Sequence, residues 1–279
     1  MPDRLSPSQF QELRHFLEQA SGIHVHEGKQ FLFETRLGSF MRTENIVDYN
    51  DLIRRLHTSH DRSLGARVVD LMTTNETYWF RDRYPFRAFR DKVVPELAAE
   101  IRSGRRRSVR LWVAAASTGQ EPYSLAMIWL EACRSDPSLS PEMFHIIAAD
   151  ISDRALAQAR AGRYDRYAMA RGLPRKYRRH YFHSVGRYWQ IDSEVKALVE
   201  FRKFNLQDPF TSLGKFDIIF CRNVLIYFQE AFKRNLFERF RALLNPPALL
   251  FLGASESARL YSRHYRLCTH EQCIYYQAT

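Results

Sequence analysis

No apolar run in this chain approaches the ~20 residues of a membrane span, and the N-terminus lacks the apolar centre of a signal peptide. The protein is therefore expected in the cytoplasm, without membrane insertion. Only four cysteines occur among 279 residues (Cys133, Cys221, Cys268, Cys273), scattered and expected to be reduced. His264, Cys268, His270 and Cys273 crowd the C-terminus. Residues 265–268 and 273–277 nevertheless read better as a β-hairpin turning through 269–272, and no metal site is expected. Acids are outnumbered: 42 Lys and Arg against 31 Asp and Glu leave a net charge of +11. That balance favours an acidic partner, either nucleic acid or a protein surface. There is no G-x-G-x-x-G, and the lysine and hydroxyl with which a P-loop handles phosphate and magnesium are missing. Internal repeats and low-complexity segments are also absent.

What is present centres on residues 111–127. Leu111, Trp112 and Val113 open an apolar run without alternation, as in a strand buried on both faces of a parallel sheet. Small residues follow as far as Gly119, where the backbone can bend sharply and admit a ligand. Pro122 is placed to start a helix, with Glu121 just before it. Strand, tight turn and helix predict the ligand-binding corner of a doubly wound α/β domain. A carboxylate at this turn suits a cofactor carrying an amino group and a positive charge better than one carrying phosphates.

The rest of the chain fits around that corner. Ser6, Pro7 and Gln9 form a capping box ahead of a first helix that Gly22 can end, and helices are predicted over 29–41, 47–56 and 64–72. A further helix is expected over 87–101 despite Pro95. Strands are expected at 144–150, 216–221 and 248–252, with Ser152 capping a helix through 161 and another helix over 230–244. Asp150, at the end of the second strand, is where such folds bond ribose hydroxyls. Residues 163–203 interrupt the alternation; 188–191 and 199–204 read as short antiparallel strands around Gly186.

Three segments carry a closer resemblance. Ala115-Ala116-Ser117-Thr118-Gly119-Gln120-Glu121-Pro122-Tyr123-Ser124, Thr73-Thr74-Asn75-Glu76-Thr77-Tyr78-Trp79-Phe80-Arg81 and Phe216-Asp217-Ile218-Ile219-Phe220-Cys221-Arg222-Asn223-Val224-Leu225-Ile226-Tyr227-Phe228 resemble the signatures of CheR-type chemotaxis receptor methyltransferases. The resemblance implies an all-helical N-terminal domain over 1–75. It implies an S-adenosylmethionine (AdoMet) methyltransferase domain over 76–279: a Rossmann-like sheet with a C-terminal antiparallel hairpin and a β-subdomain inserted at about 181–204. The implied reaction transfers a methyl group from AdoMet to glutamate carboxylates of chemoreceptors, leaving S-adenosylhomocysteine and requiring no metal. Carried over by position, the cofactor contacts are Asn75, Thr77, Arg81, Glu121, Asp150, Asn205, Leu206, Asn223 and Val224, while Arg81 and Tyr227 stand near the transferred methyl. Arg36 and Arg42 would dock on acidic receptor helices, although Ser39 and Phe40 stand where the family often has further arginines. Gly186 is the only glycine between Tyr181 and Phe201, so no tether to a receptor's C-terminal pentapeptide is expected. A monomer is expected, without nucleic-acid binding. A nucleic-acid methyltransferase would want an N-P-P-Y-type motif or a catalytic cysteine in a Pro-Cys loop; Asn223-Val224-Leu225-Ile226 is not that motif, and Cys221 is expected to point into the sheet. A regulator that binds AdoMet without methylating receptors is the other alternative.

Overall fold

The computed structural model describes residues 4–58 and 62–279, apart from the side chain of Arg62. Four helices come first: α1 (Pro7–Ser21), α2 (Gln30–Thr43), α3 (Tyr49–Thr58) and α4 (Arg62–Met72). The capping box forms as predicted, with the Gln9 N–H on Ser6 Oγ (3.3 Å) and the Ser6 N–H on Gln9 Oε1 (2.9 Å). Gly22, at φ 75°, closes α1. Helix α3 starts two residues later than the sequence predicts because Asp48 stands outside it as a cap, accepting from Asp51 N–H at 2.8 Å. Phe10, Leu13, Leu17, Phe33, Tyr49, Leu52 and Val68 bury one shared apolar core.

Between the helical part and the sheet lie α5 (Tyr84–Ala88), a π-helical turn (Phe89–Val93) and α6 (Val94–Arg102). They join without a break, so the helix expected over 87–101 is longer at its start and contains Pro95. The wide turn just before Pro95 explains the tolerance: proline has no N–H to bond, and widening gives its ring room against the preceding carbonyls.

The α/β part follows as β1 (Val109–Val113), α7 (Gln120–Ser135), β2 (Phe144–Asp150), α8 (Asp153–Ala161), β3 (Arg163–Tyr164), α9 (Arg166–Ala170), α10 (Arg175–Tyr181), β4 (Phe182–Val185), β5 (Tyr188–Ile191), α11 (Ser193–Lys196), β6 (Val199–Lys203), β7 (Phe216–Cys221), α12 (Glu230–Leu243), β8 (Leu244–Leu252), β9 (Tyr265–His270) and β10 (Cys273–Ala278). The main sheet has seven strands in the order β6-β2-β1-β7-β8-β10-β9. Its first five strands are parallel, and β10 runs antiparallel to both β8 and β9. Alternate residues serve two separate cores. Leu111, Val113, Ile146 and Phe220 face one, with Trp129 and Phe89; Trp112, Ile147 and Ile219 face the other, with Phe237 and Phe240. A strand covered on both sides has no polar face, which is why residues 111–113 show no alternation.

One reading is corrected. Residues 199–204 were expected to pair antiparallel within the inserted subdomain. Residues Val199–Lys203 instead form β6, the parallel edge strand of the main sheet, with Ile146 opposite Val199 and Asp150 opposite Lys203. The inserted sheet has the order β3-β5-β4 and ends at Ile191, so the subdomain begins earlier and ends earlier than 181–204. A half-exposed five-residue strand carries no mark of which neighbour it will choose. The terminal hairpin is longer than predicted, leaving only Glu271 (φ 48°) and Gln272 as its turn. Strand β8 starts at Leu244, and a register shift against β7 carries Pro246 and Pro247 out of the ladder.

The two parts of the chain are sewn together beside the sheet's carboxyl edge. Ile23 forms an antiparallel bridge with Phe228, and the His24 N–H donates to Tyr227 O at 2.8 Å. Asn205 Nδ2 donates to Ala20 O at 2.8 Å, and Gln207 Nε2 to Glu18 O at 3.0 Å. Among the described residues no helix is long and apolar enough to cross a membrane.

Candidate active site

A cavity opens at the carboxyl ends of β1, β2 and β7, where ligands bind in open α/β sheets. Its empty volume, open mouth included, is about 910 Å³. Asn75, Thr77 and Arg81 line it from the segment before β1, Glu121 from the first turn of α7, Asp150 from the end of β2, and Asn205, Leu206, Asn223, Val224 and Tyr227 from the segments after β6 and β7. All the residues expected to hold the cofactor or stand near the methyl group therefore meet in one place. Ser21, at the end of α1, and Ile23, just beyond it, also line the cavity.

Asp150 is only 7% exposed and does two jobs. Its Oδ2 accepts the Ser117 N–H at 2.7 Å and its Oδ1 the Ser152 N–H at 2.9 Å, so it braces the turn after β1 and the start of α8. Burial pushes its carboxyl up, opposed by these backbone donors. A carboxylate can take more than these donors, which leaves it capacity for a hydroxyl in the cavity it lines. Ser117 takes a left-handed conformation (φ 48°) and donates its hydroxyl to Asn75 O at 2.8 Å. Asn75 in turn donates from Nδ2 to Ser152 Oγ at 3.3 Å, which ties the linker segment to the cavity floor. Gly119, at φ 92°, caps α7 where a Cβ would lie 3.0 Å from Ala159 Cβ and 3.1 Å from Tyr164 Oη. The small residue there is needed for packing behind the turn as well as for its bend.

Glu121 is buried against Arg222, whose guanidinium is wholly enclosed and also donates to Asp82 Oδ2 and Arg81 O, both at 2.8 Å. Burial pushes the Glu121 carboxyl up, while the Arg222 charge pulls it down. Arg222 stands inside one of the motifs quoted above, yet its role was not read from the sequence. It fastens α7 to the strained loop after Trp79, where Phe80, Asp82 and Arg83 all have positive φ. Its buried Nε–H has no partner among the described residues.

A second residue escaped the sequence reading. Glu256 accepts four backbone N–H groups, Val224 (3.0 Å) and Leu225 (2.8 Å) on Oε1, Asn223 (2.9 Å) and Gly253 (2.7 Å) on Oε2. One carboxylate thus shapes the loop that carries Asn223 (φ 57°) and Val224 into the cavity. Gly253 must lack a side chain: a Cβ would lie 2.7 Å from Glu256 Oε2 and 2.9 Å from Asn223 N. Only the motif-like clustering of 221–228 hinted that something must hold this loop. Cys221 is fully buried in the second core, where burial pushes its thiol up, and offers no reactive thiolate.

Arg81 reaches Glu76 O with Nη1 (2.8 Å) and lies over the Tyr78 ring at 5.7 Å. The two arginines proposed for docking differ. Arg36 spends its guanidinium on Met72 O (2.5 Å), Thr73 O (3.3 Å) and Thr74 Oγ1 (3.1 Å), holding the end of α4 and the linker. Arg42 is exposed and makes no side-chain hydrogen bond or ion pair among the described residues.

AdoMet is an amino acid joined to a nucleoside through a sulfonium. The donor set fits it: a buried acid beside an unmet guanidinium N–H suits the two charges of the amino-acid end, and Asp150 has oxygen lone pairs free for ribose hydroxyls. Sheet order, turn and cavity together define an AdoMet-dependent methyltransferase. The sequence comparisons give the particular family. Residues 75–274 match the CheR methyltransferase SAM-binding domain and residues 8–73 the CheR methyltransferase all-alpha domain, and the chain belongs to this family. It is 42% identical over 270 residues to chemotaxis protein methyltransferase Cher2 of Pseudomonas putida, covering 96% of this chain and 97% of that one. Chemotaxis protein methyltransferase 1 of Vibrio cholerae is 44% identical over 254 residues (91% and 90%), and the chemotaxis protein methyltransferase of Escherichia coli 30% over 267 residues (94% and 89%). The protein is an AdoMet-dependent methyltransferase of chemotaxis.

Proposed function

We propose that the enzyme methylates side-chain carboxylates of specific glutamates on the cytoplasmic helices of chemoreceptors, acting from the cytoplasm as a monomer and without a metal. The observation that carries this reading is the meeting of Arg81 and Tyr227 with the acids Glu121 and Asp150 on one cavity. AdoMet supplies an electrophilic methyl group when bound. A glutamate with pKa near ~4.3 is already ionised at neutral pH, so the protein needs no general base. Its residues have to bind and align: Glu121 and Asp150, with Asn75, Thr77, Asn205, Leu206, Asn223 and Val224, hold the cofactor. Arg81 and Tyr227 orient the incoming carboxylate. Alignment alone can contribute up to about 7–11 kcal/mol.

The helical domain would present Arg42 to acidic receptor helices. The turn between β4 and β5 is only Gly186-Arg187, and the proposed enzyme works without a C-terminal tether. The test is incubation with methyl-labelled AdoMet and receptor-containing membranes. Label released as methanol by base is expected; base-stable label, or label on nucleic acid, would refute the assignment.

A further inference from the structure

Beside the cavity, two guanidinium groups share one aromatic ring, and one of them pairs with a cavity-lining carboxylate. Arg81 lies 5.7 Å from the Tyr78 ring centre, and Arg171, from the inserted subdomain, lies 5.0 Å from it. Arg171 also covers Tyr167 at 5.8 Å. The carboxylate is that of Glu76, a cavity-lining residue, at 3.2 Å from Arg171 Nη2. Arg81 meets Glu76 only through its carbonyl oxygen.

The pairing of Arg171 with Glu76 is weakly held, with side chains 36% and 62% exposed. Pairs of that kind contribute little and exchange readily. Arg171 has contacts besides Glu76: its guanidinium lies over the Tyr78 and Tyr167 rings. Gly172 (φ 80°) presses its backbone onto the same loop, where a Cβ would lie only 2.1 Å from Trp79 O. The result is a cation next to a cavity-lining residue, whose present partner is a carboxylate of the same chemical type as a glutamate substrate.

We propose that Arg171 is a second substrate-contacting residue: it receives the carboxylate of an acidic side chain of the incoming protein, and Glu76 is the resident carboxylate it gives up. This rests on the glutamate-methylation reading above. Arg171 then acts from the inserted subdomain, over the same Tyr78 ring as Arg81, so that part of the fold contributes to substrate selection beside the cavity.

The experiment is a cycle of Arg171→Ala, Glu76→Gln and the double variant, measuring KM for receptor membranes, kcat and AdoMet affinity. Arg171→Ala is expected to raise KM about tenfold, the scale of a lost charge-assisted hydrogen bond, with AdoMet affinity unchanged. Arg171→Lys, which keeps the charge but not the planar fork, should fall between. Glu76→Gln should lower KM, because it removes the competing carboxylate, and the double variant should resemble Arg171→Ala. If Arg171 only braces the loop through Glu76, both single variants will shift KM in the same direction and the double variant will add nothing; that result, or an unchanged KM in Arg171→Ala, overturns the proposal. Absence of base-labile methylation by the unaltered enzyme would instead overturn the glutamate reading, and this inference with it.

Discussion

Replacing Glu256 by glutamine tests the architecture of the cofactor site most directly. Each carboxylate oxygen accepts two backbone N–H groups, Val224 and Leu225 on one, Asn223 and Gly253 on the other. A glutamine keeps one carbonyl oxygen and so can keep one pair; its NH2 group meets the other pair donor to donor. Two N–H groups left without an acceptor cost about 1–3 kcal/mol each, less where water reaches them. Exchanging a charged acceptor for a neutral one also roughly halves what the retained pair contributes. A loss of about 2–5 kcal/mol follows. At about 2–4 °C per kcal/mol for a domain of ~200 residues, thermal unfolding should fall by roughly 4–20 °C. Because Asn223 and Val224 line the cavity, AdoMet affinity should fall at least about tenfold, equivalent to ~1.4 kcal/mol. Glu256→Asp keeps the charge but not the reach and should be intermediate. Differential scanning and titration calorimetry on the same samples would read both effects. An unchanged melting temperature together with unchanged AdoMet affinity would show that the loop does not need this carboxylate.

Asp150→Ala should weaken AdoMet binding by about 1–3 kcal/mol and also lower the melting temperature, since Ser117 and Ser152 lose their acceptor; calorimetry showing neither removes Asp150 from the site. Arg36→Glu and Arg42→Glu should separate: the first loosens the linker and destabilises the fold, the second leaves stability alone and raises KM for receptor with reduced salt dependence. Equal effects on stability would refute that division. Glu131, on α7, ties down α10. Burial pushes its carboxyl up, but hydrogen bonds from Lys176, His180 and Tyr181 outweigh this and hold it at about 2 against an ordinary 4.5. A depressed acid stabilises the fold fully above the unfolded value and loses that contribution as pH falls from about 4.5 towards 2. Acid unfolding followed by tryptophan fluorescence should therefore show a component in that window that Glu131→Gln removes; an identical acid profile in the variant would count against it.

The chain's local order was legible because its causes are local. Ser6 and Gln9 announce a helix start by themselves, and the run 111–113 followed by small residues and Pro122 announces a buried strand, a turn and a helix. Asp150 and Glu121 could be singled out because each ends or begins such an element. What escaped depends on residues that meet across long separations. Arg222 and Glu121 are 101 positions apart, Glu256 reaches back 33 positions to Asn223, and Arg171 reaches back 95 to Glu76. Nothing in the spacing of a single arginine or glutamate says which distant backbone or acid it will meet. The placement of β6 followed the same logic: its residues suit any sheet edge, and only the crossover through α11 brings it beside β2. Arg36 and Arg42 look alike as sequence, two cations on one helix. Packing alone turned one towards the α4 carbonyls and left the other in solvent.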